Sequence, residues 1–139
     1  KNIASLADIW YSTTSGEGFG KTGLEAMGMG IPCIITDYSA CSEVHQKGSI
    51  LISCYEGRAG RFRQDDRRRW VECGIVNEEK FTEAMLYLYN NPKEREELGK
   101  TAREWAREFD YDTKIIPQWL ELFHNIPPEQ LMMKELLQE

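Results

Sequence analysis

Residues 15–27 read Ser-Gly-Glu-Gly-Phe-Gly-Lys-Thr-Gly-Leu-Glu-Ala-Met, and this glycine-rich stretch decides the fold. An apolar run at 9–13 precedes it, and a helical pattern rich in Ala, Met and Leu follows it. Strand, glycine loop and helix, in that order, place backbone N–H groups and the positive end of a helix dipole against an anion. Three kinds of anion site could use such a stretch.

The first kind is the P-loop of nucleoside triphosphatases. Gly20-Lys21-Thr22 supplies the end of that pattern, but the pattern also requires glycine at position 15, which is serine. Gly16 comes one residue too late, and a shortened loop would not wrap the β-phosphate in the same way. A P-loop is therefore disfavoured.

The second kind is a dinucleotide fingerprint, because Gly18-x-Gly20-x-x-Gly23 matches it and opens a helix. Asp37 closes the next strand 19 residues beyond Gly18, where a ribose-binding acid belongs. Against this interpretation, residues 14–17 separate the strand from the first glycine, whereas the dinucleotide turn is tight. Glu17 would also set a carboxylate beside the pyrophosphate, a repulsive contact. An NAD-dependent oxidoreductase fragment stays open as an alternative.

The third kind uses Glu17 and Glu25 as an E-x₇-E pair around Gly-Phe-Gly. Glu17 lies in the loop before the helix and Glu25 in its second turn, so the two carboxylates point at different parts of one elongated ligand. The amides between them can hold a diphosphate, and a carboxylate is a strong acceptor for vicinal hydroxyls. Sugar at Glu17 and ribose at Glu25 is a sensible division.

These residues resemble the donor-binding domain of glycosyltransferase family 4, whose members are retaining, nucleotide-sugar-dependent enzymes of the GT-B fold. The resemblance covers most of the chain, up to Phe109. It is carried by an ordered set of short motifs: Ala7-Asp8-Ile9, Glu17-Gly18-Phe19-Gly20, Leu24-Glu25-Ala26-Met27, Gly30-Ile31-Pro32, Thr36-Asp37, Glu43-Val44 and Gly48-Ser49-Ile50-Leu51-Ile52.

The resemblance implies a nucleoside-diphosphate sugar such as a UDP- or GDP-sugar as donor, with no cofactor and no metal. Glu25 would grip the ribose hydroxyls, and the amides around Gly20, Lys21 and Thr22 would face the diphosphate. Glu17, the expected catalytic residue, would hold the donor sugar together with the backbone of Gly18–Phe19. Lys21 departs from the family pattern, and it either adds charge to the phosphate site or is simply solvated.

Composition describes an ordinary globular protein of 139 residues with 41% hydrophobic and 29% charged residues. The net charge of −6 argues against a general nucleic-acid binder. Four cysteines without C-x-x-C spacing predict reduced thiols in a cytosolic enzyme, with Cys33 as a small core residue. Two histidines support no metal cluster, and both are expected to be surface or half-buried imidazoles. We expect a cytoplasmic location, with peripheral membrane contact as a further possibility.

The order of elements predicts a Rossmann-like α/β domain, a parallel sheet flanked by helices, which is the C-terminal half of a GT-B fold. Strands are expected at 9–13, 33–36 and 50–52, and helices at about 21–29 and 42–46. Gly28 and Gly30 suit the C-cap of the first helix. Residues 1–126 should form this nucleotide-sugar-binding domain, and 127–139 an amphipathic tail or crossover helix.

Residues 53–73 depart from the family pattern, since they insert a segment with six arginines between strand and helix. A hairpin between 53–55 and 70–73 is one interpretation. Functionally, the segment could contact an anionic acceptor, a lipid headgroup or a partner chain. A solvated loop is the alternative.

Helical spacing and caps predict three further helices. Asn77 should cap the first, Asn91-Pro92-x-Glu94 should start the second, and Asp112 should cap the third. The expected inward faces comprise Phe81, Ala84, Met85, Leu88 and Tyr89, then Leu98, Ala102, Trp105, Ala106 and Phe109, then Ile116, Trp119, Leu120 and Phe123.

The resemblance also implies that the acceptor, a sugar, lipid or small molecule, is bound by an N-terminal domain outside this sequence. Basic residues for the pyrophosphate are expected upstream of Lys1. The chain alone should therefore not transfer sugar. A non-catalytic interaction module that keeps the GT-B-like fold is the remaining alternative.

Overall fold

The computed structural model describes residues 6–64 and 69–126, and the side chains of those residues apart from 56–71. The chain divides into two compact units, Lys1–Arg107 and Glu108–Glu139. The predicted tail at 127–139 lies outside the described residues, as do residues 1–5. Within the described ranges, no helix is long and apolar enough to cross a lipid bilayer.

Four strands form one sheet in the order β1 (Trp10–Ser12), β2 (Cys33–Asp37), β3 (Ser49–Gln64) and β4 (Arg69–Val76). β1 pairs with β2 and β2 pairs with β3 in parallel, whereas β4 runs antiparallel to β3. Helices α1 (Lys21–Gly28) and α2 (Ala40–Val44) alternate with the parallel strands. The predicted Rossmann-like α/β arrangement is confirmed.

β2 forms the centre of the core because both of its faces are covered. Cys33 and Ile35 pack with α1 and with Ala102 in one cluster, whereas Ile34 packs with α3 (Glu78–Asn90) in another. Alternate residues of a strand point to opposite faces, so a strand covered on both sides is apolar throughout. Cys33 is fully buried, as predicted, and burial raises the pKa of its thiol to about 12.

α1 ends in a Schellman turn that positions the start of β2. The Gly30 N–H donates to the Met27 carbonyl at 2.8 Å, and the Ile31 N–H donates to the Ala26 carbonyl at 3.1 Å. Of the two predicted C-cap glycines, Gly30 performs this role, and Gly28 is the last residue of the helix. Pro32 then leads directly into β2.

Residues 53–64 and 69–73 pair as the two strands of a β-hairpin, as one interpretation proposed, but in a different register. Cys54 pairs with Val76, and after an irregularity the ladder runs from Ala59 paired with Gly74 to Gln64 paired with Arg69. Residues 70–73 therefore pair with 60–63 and not with 53–55. The sequence could not fix this register because pairing depends on the bulge. That the segment is an insertion stays a prediction.

α3 and α4 (Pro92–Ala106) follow the hairpin, and the predicted caps are partly confirmed. The Asn77 side chain accepts from the Lys80 N–H at 3.0 Å. Asn91 precedes α4, but its side-chain amide donates backward to the Tyr87 carbonyl at 2.8 Å and does not cap the new helix. Tyr89 is 74% exposed, so its assignment to the core was wrong.

The second unit contains a π-helical turn (Tyr111–Ile115) that continues into α5 (Ile116–Asn125). Asp110, and not the predicted Asp112, caps it by accepting from the Thr113 N–H at 2.8 Å. The Thr113 hydroxyl also donates to the Asp110 carboxylate, at 2.6 Å, and this bond, followed by that of the Thr113 N–H, lowers the pKa of Asp110. The stripe predicted to face inward is exposed, as follows: Ile116 36%, Trp119 51%, Leu120 53% and Phe123 59%.

Candidate functional site

The glycine loop, residues 13–20, connects the end of β1 to the start of α1 at the carboxyl edge of the parallel strands. Thr14 organises its first turn, because the Thr14 Oγ1 accepts from the Gly16 N–H at 3.3 Å and donates to the Gly16 carbonyl at 3.1 Å. The connection is much longer than the tight turn of a dinucleotide fingerprint. Ligands of open α/β sheets bind at this edge.

Ser39, which follows β2, holds the middle of the glycine loop. Its Oγ accepts from the Glu17 N–H at 2.9 Å and donates to the Glu17 carbonyl at 3.1 Å. Ser39 has φ +53°, and it is the one non-glycine residue in the described part of the chain with a positive φ. Such strain persists where the surrounding contacts fix it, and it is common at functional sites. Sequence reasoning missed this serine.

The base of the hairpin supports the same loop from a third segment. The Gly74 N–H of β4 donates to the Ser15 carbonyl at 3.0 Å. A Cβ at Gly74 would lie 2.7 Å from Tyr38 Cγ and 2.6 Å from Cys54 Sγ, so only glycine lets Tyr38 pack here. The Tyr38 ring in turn lies 3.7 Å from the position of a Cβ at Gly16.

We expect the distal part of the hairpin to be dispensable for folding, unlike its base. Replacing 61–71 by a short Gly/Ser turn keeps the Ala59–Gly74 and Gly60–Cys73 pairs. A change in the length of a connecting segment costs little loop-closure free energy. The melting temperature should stay within a few degrees, since about 1 kcal/mol shifts it by roughly 4–8 °C or less at this size. Collapse of the fold in thermal denaturation would show that side chains of 61–71 belong to the core.

α1 begins at a glycine in the left-handed region. Gly20 has φ +77° and ψ +41°, is buried, and offers no side-chain cap. Its carbonyl accepts from the Leu24 N–H at 3.3 Å. The helical amides that precede Leu24 have no carbonyl four residues back within the helix. The N–H groups of Lys21 and Thr22 therefore form the open, positive end of α1.

His45 lies beneath this helix start and contradicts the expectation of a surface or half-buried imidazole. It is 0% exposed, and its Nε2 lies 3.1 Å from the Gly20 carbonyl oxygen. The pKa of His45 is lowered by burial, against smaller raising effects of the Cys41 and Gly20 carbonyls and the Glu17 carboxylate. No local pattern indicates this contact, because Gly20 lies 25 residues earlier in the chain.

The predicted donor-binding residues lie together along the loop and the first turns of α1. All are exposed except Gly20: Glu17, Gly18, Phe19, Lys21, Thr22 and Glu25. Burial and, less strongly, the Glu17 charge raise the pKa of the Cys41 thiol on α2. On the helix, Lys21 Nζ lies 3.9 Å from Glu25 Oε1, with 80% and 59% of the two side chains exposed.

A concavity lies away from the glycine loop, and the described residues contain no metal cluster. A cavity of about 520 Å³ lies at the opposite edge of the strands, between the end of α1 and α4. None of the predicted donor-binding residues lines it. No group of three His, Cys, Asp or Glu side chains in the described ranges could hold a metal ion. The glycine loop is thus the place where the strained backbone, the helix start and the candidate acids coincide.

The fold and the loop together define a Rossmann-type α/β domain in which a glycine loop leads into the open start of α1. Residues 1–105 match the family described as glycosyl transferases group 1. The chain belongs to this family, whose members transfer a sugar from a nucleotide-sugar donor to an acceptor. No curated protein matches the chain. The family assignment favours sugar transfer over the NAD-dependent alternative, in agreement with the long connection between β1 and α1.

Proposed function

We propose that this chain is the donor-binding half of a retaining glycosyltransferase of the GT-B fold. The single observation that carries the proposal is that three separate segments hold the glycine loop in front of the first turn of α1. The tethers are hydrogen bonds from Ser39, Gly74 and His45. Fixed amide donors at a helix start suit a diphosphate. An exposed carboxylate stands on each side of them, Glu17 in the loop and Glu25 on the helix.

The two carboxylates divide the donor between them on this proposal. Glu25 accepts hydrogen bonds from the ribose hydroxyls, and the amides of Lys21 and Thr22 face the diphosphate. Glu17, with the backbone of Gly18 and Phe19, holds the transferred sugar. The Lys21 ammonium, close to Glu25, adds positive charge to this part of the site. The donor is a UDP- or GDP-sugar, and the chemistry uses no cofactor or metal.

The acceptor, a sugar, lipid or small molecule, is held by a second domain on this proposal. Transfer requires donor and acceptor in one geometry, because positioning supplies much of the rate enhancement. The arginine-rich hairpin offers a contact for an anionic acceptor or for a membrane surface. Six arginines in an otherwise acidic chain support that role.

Glu25→Ala should weaken the binding of a nucleoside diphosphate without sugar. Glu17→Ala should leave the affinity for that ligand almost unchanged. Hydrogen bonds to a charged group contribute roughly 1.5–3 kcal/mol, which is about tenfold or more in affinity. Glu17→Ala should remove only the additional affinity that the sugar supplies. Calorimetry with UDP and GDP and with their sugar conjugates measures both effects. Glu83→Ala, an exposed glutamate of α3, is the matched control.

Two outcomes would contradict this division. Equal losses for both ligands in both variants would defeat the assignment of roles. Tighter diphosphate binding by Glu17→Ala, together with binding of NAD, would favour the dinucleotide fingerprint, since a repulsive charge would have been removed. In the complete enzyme, Glu17→Ala should lower kcat more than it raises the donor KM, because the sugar changes in the transition state.

A further inference from the structure

His45 packs against the backbone at two glycines, Gly20 at the end of the glycine loop and Gly23 in the first turn of α1. A Cβ at Gly20 would lie 2.5 Å from His45 Cε1, and a Cβ at Gly23 would lie 2.7 Å from His45 Nε2. Trp10 of β1 and Ile35 of β2 close the same space from the sheet side, at 3.1 and 3.2 Å from the Gly23 position. The ring is therefore enclosed between α1, α2 and the sheet.

The hydrogen bond of His45 shows which ring nitrogen carries a proton. A carbonyl oxygen can only accept, so the His45 Nε2 must carry the proton and donate it to Gly20. The His45 Nδ1 is buried and has no hydrogen-bond partner. In the neutral ring this nitrogen is an unused acceptor. In the charged ring it would be a second buried N–H; the Cys41 carbonyl reduces the cost of that charge, but burial outweighs it.

Two titratable groups face the ring. The Cys41 thiol comes from α2, and its Sγ lies 3.3 Å from the position of a Cβ at Gly20. The Glu17 carboxylate comes from the glycine loop, and its charge favours the protonated ring. The contacts from β1 and β2 are apolar, and those from α1 are glycine backbone. Burial outweighs the Glu17 charge, so the pKa of His45 is lowered.

We propose that His45 is a positioning residue of the glycine loop, whose neutral ring ties the Gly20 carbonyl to the end of α2. This carbonyl also accepts from the Leu24 N–H, so one oxygen closes the first turn of α1 and fixes it to the fold. The orientation of the Lys21 and Thr22 amides toward a diphosphate depends on it. This inference rests on the proposed donor site.

Two substitutions separate hydrogen bonding from packing. His45→Gln keeps an amide donor near the place of Nε2 and cannot titrate, whereas His45→Leu keeps apolar bulk and has no donor. His124→Gln is the matched control, because His124 lies exposed on α5 and bonds the Leu120 carbonyl of its own helix. Urea denaturation of each variant of the full chain establishes that it folds.

Calorimetry with UDP and GDP at pH 8 and pH 5.5 is the first measurement. At pH 8, His45→Leu should bind roughly tenfold more weakly than the unmodified chain, as expected for one lost hydrogen bond. His45→Gln should bind nearly normally. The ratio of the affinity of the unmodified chain to that of His45→Gln should fall from pH 8 to pH 5.5, because only the unmodified chain has an imidazole whose proton uptake works against the buried position. Titration of the nucleotide phosphates affects all variants alike.

The second measurement is hydrogen exchange of the Leu24 backbone amide in the absence of nucleotide. Its protection should fall at acid pH in the unmodified chain and in His124→Gln, but not in His45→Gln. If neither UDP nor GDP binds at any pH, the proposed donor site fails, and the exchange measurement still decides the role of His45. Acid-dependent loss of protection that persists in His45→Gln would overturn the inference, even if His45→Leu failed to fold.

The free energy of unfolding should depend on pH in the same direction. The folded state binds the His45 proton less tightly than the unfolded state, whose pKa is near 6.5. Lowering the pH through 6.5 therefore favours the unfolded chain, and the loss continues until the folded pKa is passed. The change in the free energy of unfolding between pH 7.5 and pH 5.5 should be smaller in His45→Gln than in the unmodified chain. An equal change in both proteins would count against a buried neutral imidazole.

Discussion

Gly48→Ala should lower the free energy of unfolding by about 3 kcal/mol or more. This loss combines the strain of alanine in a left-handed backbone conformation with the cost of overpacking. Gly48 has φ +75° in the connection between α2 and β3. A Cβ there would lie 2.1 Å from Ala102 Cα and 2.3 Å from Ala102 N. These are backbone atoms of α4, so no side-chain rotation relieves the contact, and the helix must move away from the sheet. Urea denaturation measures the loss.

Gly28→Ala is the matched control for that measurement. The nearest atom to a Cβ at Gly28 is Ala106 Cβ at 4.0 Å, an ordinary contact. Alanine inside a helix is favoured over glycine by roughly 0.5–1 kcal/mol, so this variant should be as stable as the unmodified chain or slightly more stable. A Gly48→Ala variant as stable as Gly28→Ala would show that α4 does not pack on this turn as described.

Gly20→Ala should cost about 2 kcal/mol or more of stability and should weaken UDP and GDP binding at least tenfold. Alanine at φ +77° is strained, and its Cβ would lie 2.5 Å from His45 Cε1. Either relaxation, of the backbone or of the ring, displaces the carbonyl that closes the first turn of α1. Thermal denaturation and calorimetry measure the two effects separately.

The control for the stability effect of Gly20→Ala lies two residues earlier. Gly18 has no atom within 4 Å of a built Cβ, so Gly18→Ala should keep the melting temperature. The double substitution Gly20→Ala with His45→Ala removes the ring but keeps the strain, and a double-mutant cycle isolates the steric part. If Gly20→Ala bound nucleotide as tightly as the unmodified chain, the first-turn amides of α1 would not take part in nucleotide binding.

Local patterns allowed much of the parallel sheet to be predicted. β2 is a short apolar run that directly follows Pro32. Asn77 caps α3 by accepting a hydrogen bond from an amide only three residues away. These features depend on neighbours in sequence. The order of strand, glycine loop and α1 was predicted for the same reason, as was the fold class.

Features that depend on distant partners were not predicted. Ser39 contacts a backbone 22 residues away, and the His45 ring contacts one 25 residues away. The register of the hairpin depends on a bulge whose position no residue type marks clearly. The exposed side of α5 was assigned to a core because amphipathic spacing shows that a face is apolar, but not what covers it. The roles of Glu17 and Glu25 stay predictions.

The tethers of the glycine loop have a consequence for the order of folding. The Ser15 carbonyl accepts a hydrogen bond from Gly74 of β4, a strand that comes after all three parallel strands in the chain. The Glu17 backbone is bonded to Ser39, which follows β2. Contacts of such high contact order form slowly, because the intervening chain must close first. A nascent or refolding chain with its parallel strands already paired would therefore still lack the loop. We expect the capacity to bind nucleotide to appear last, after the hairpin has docked.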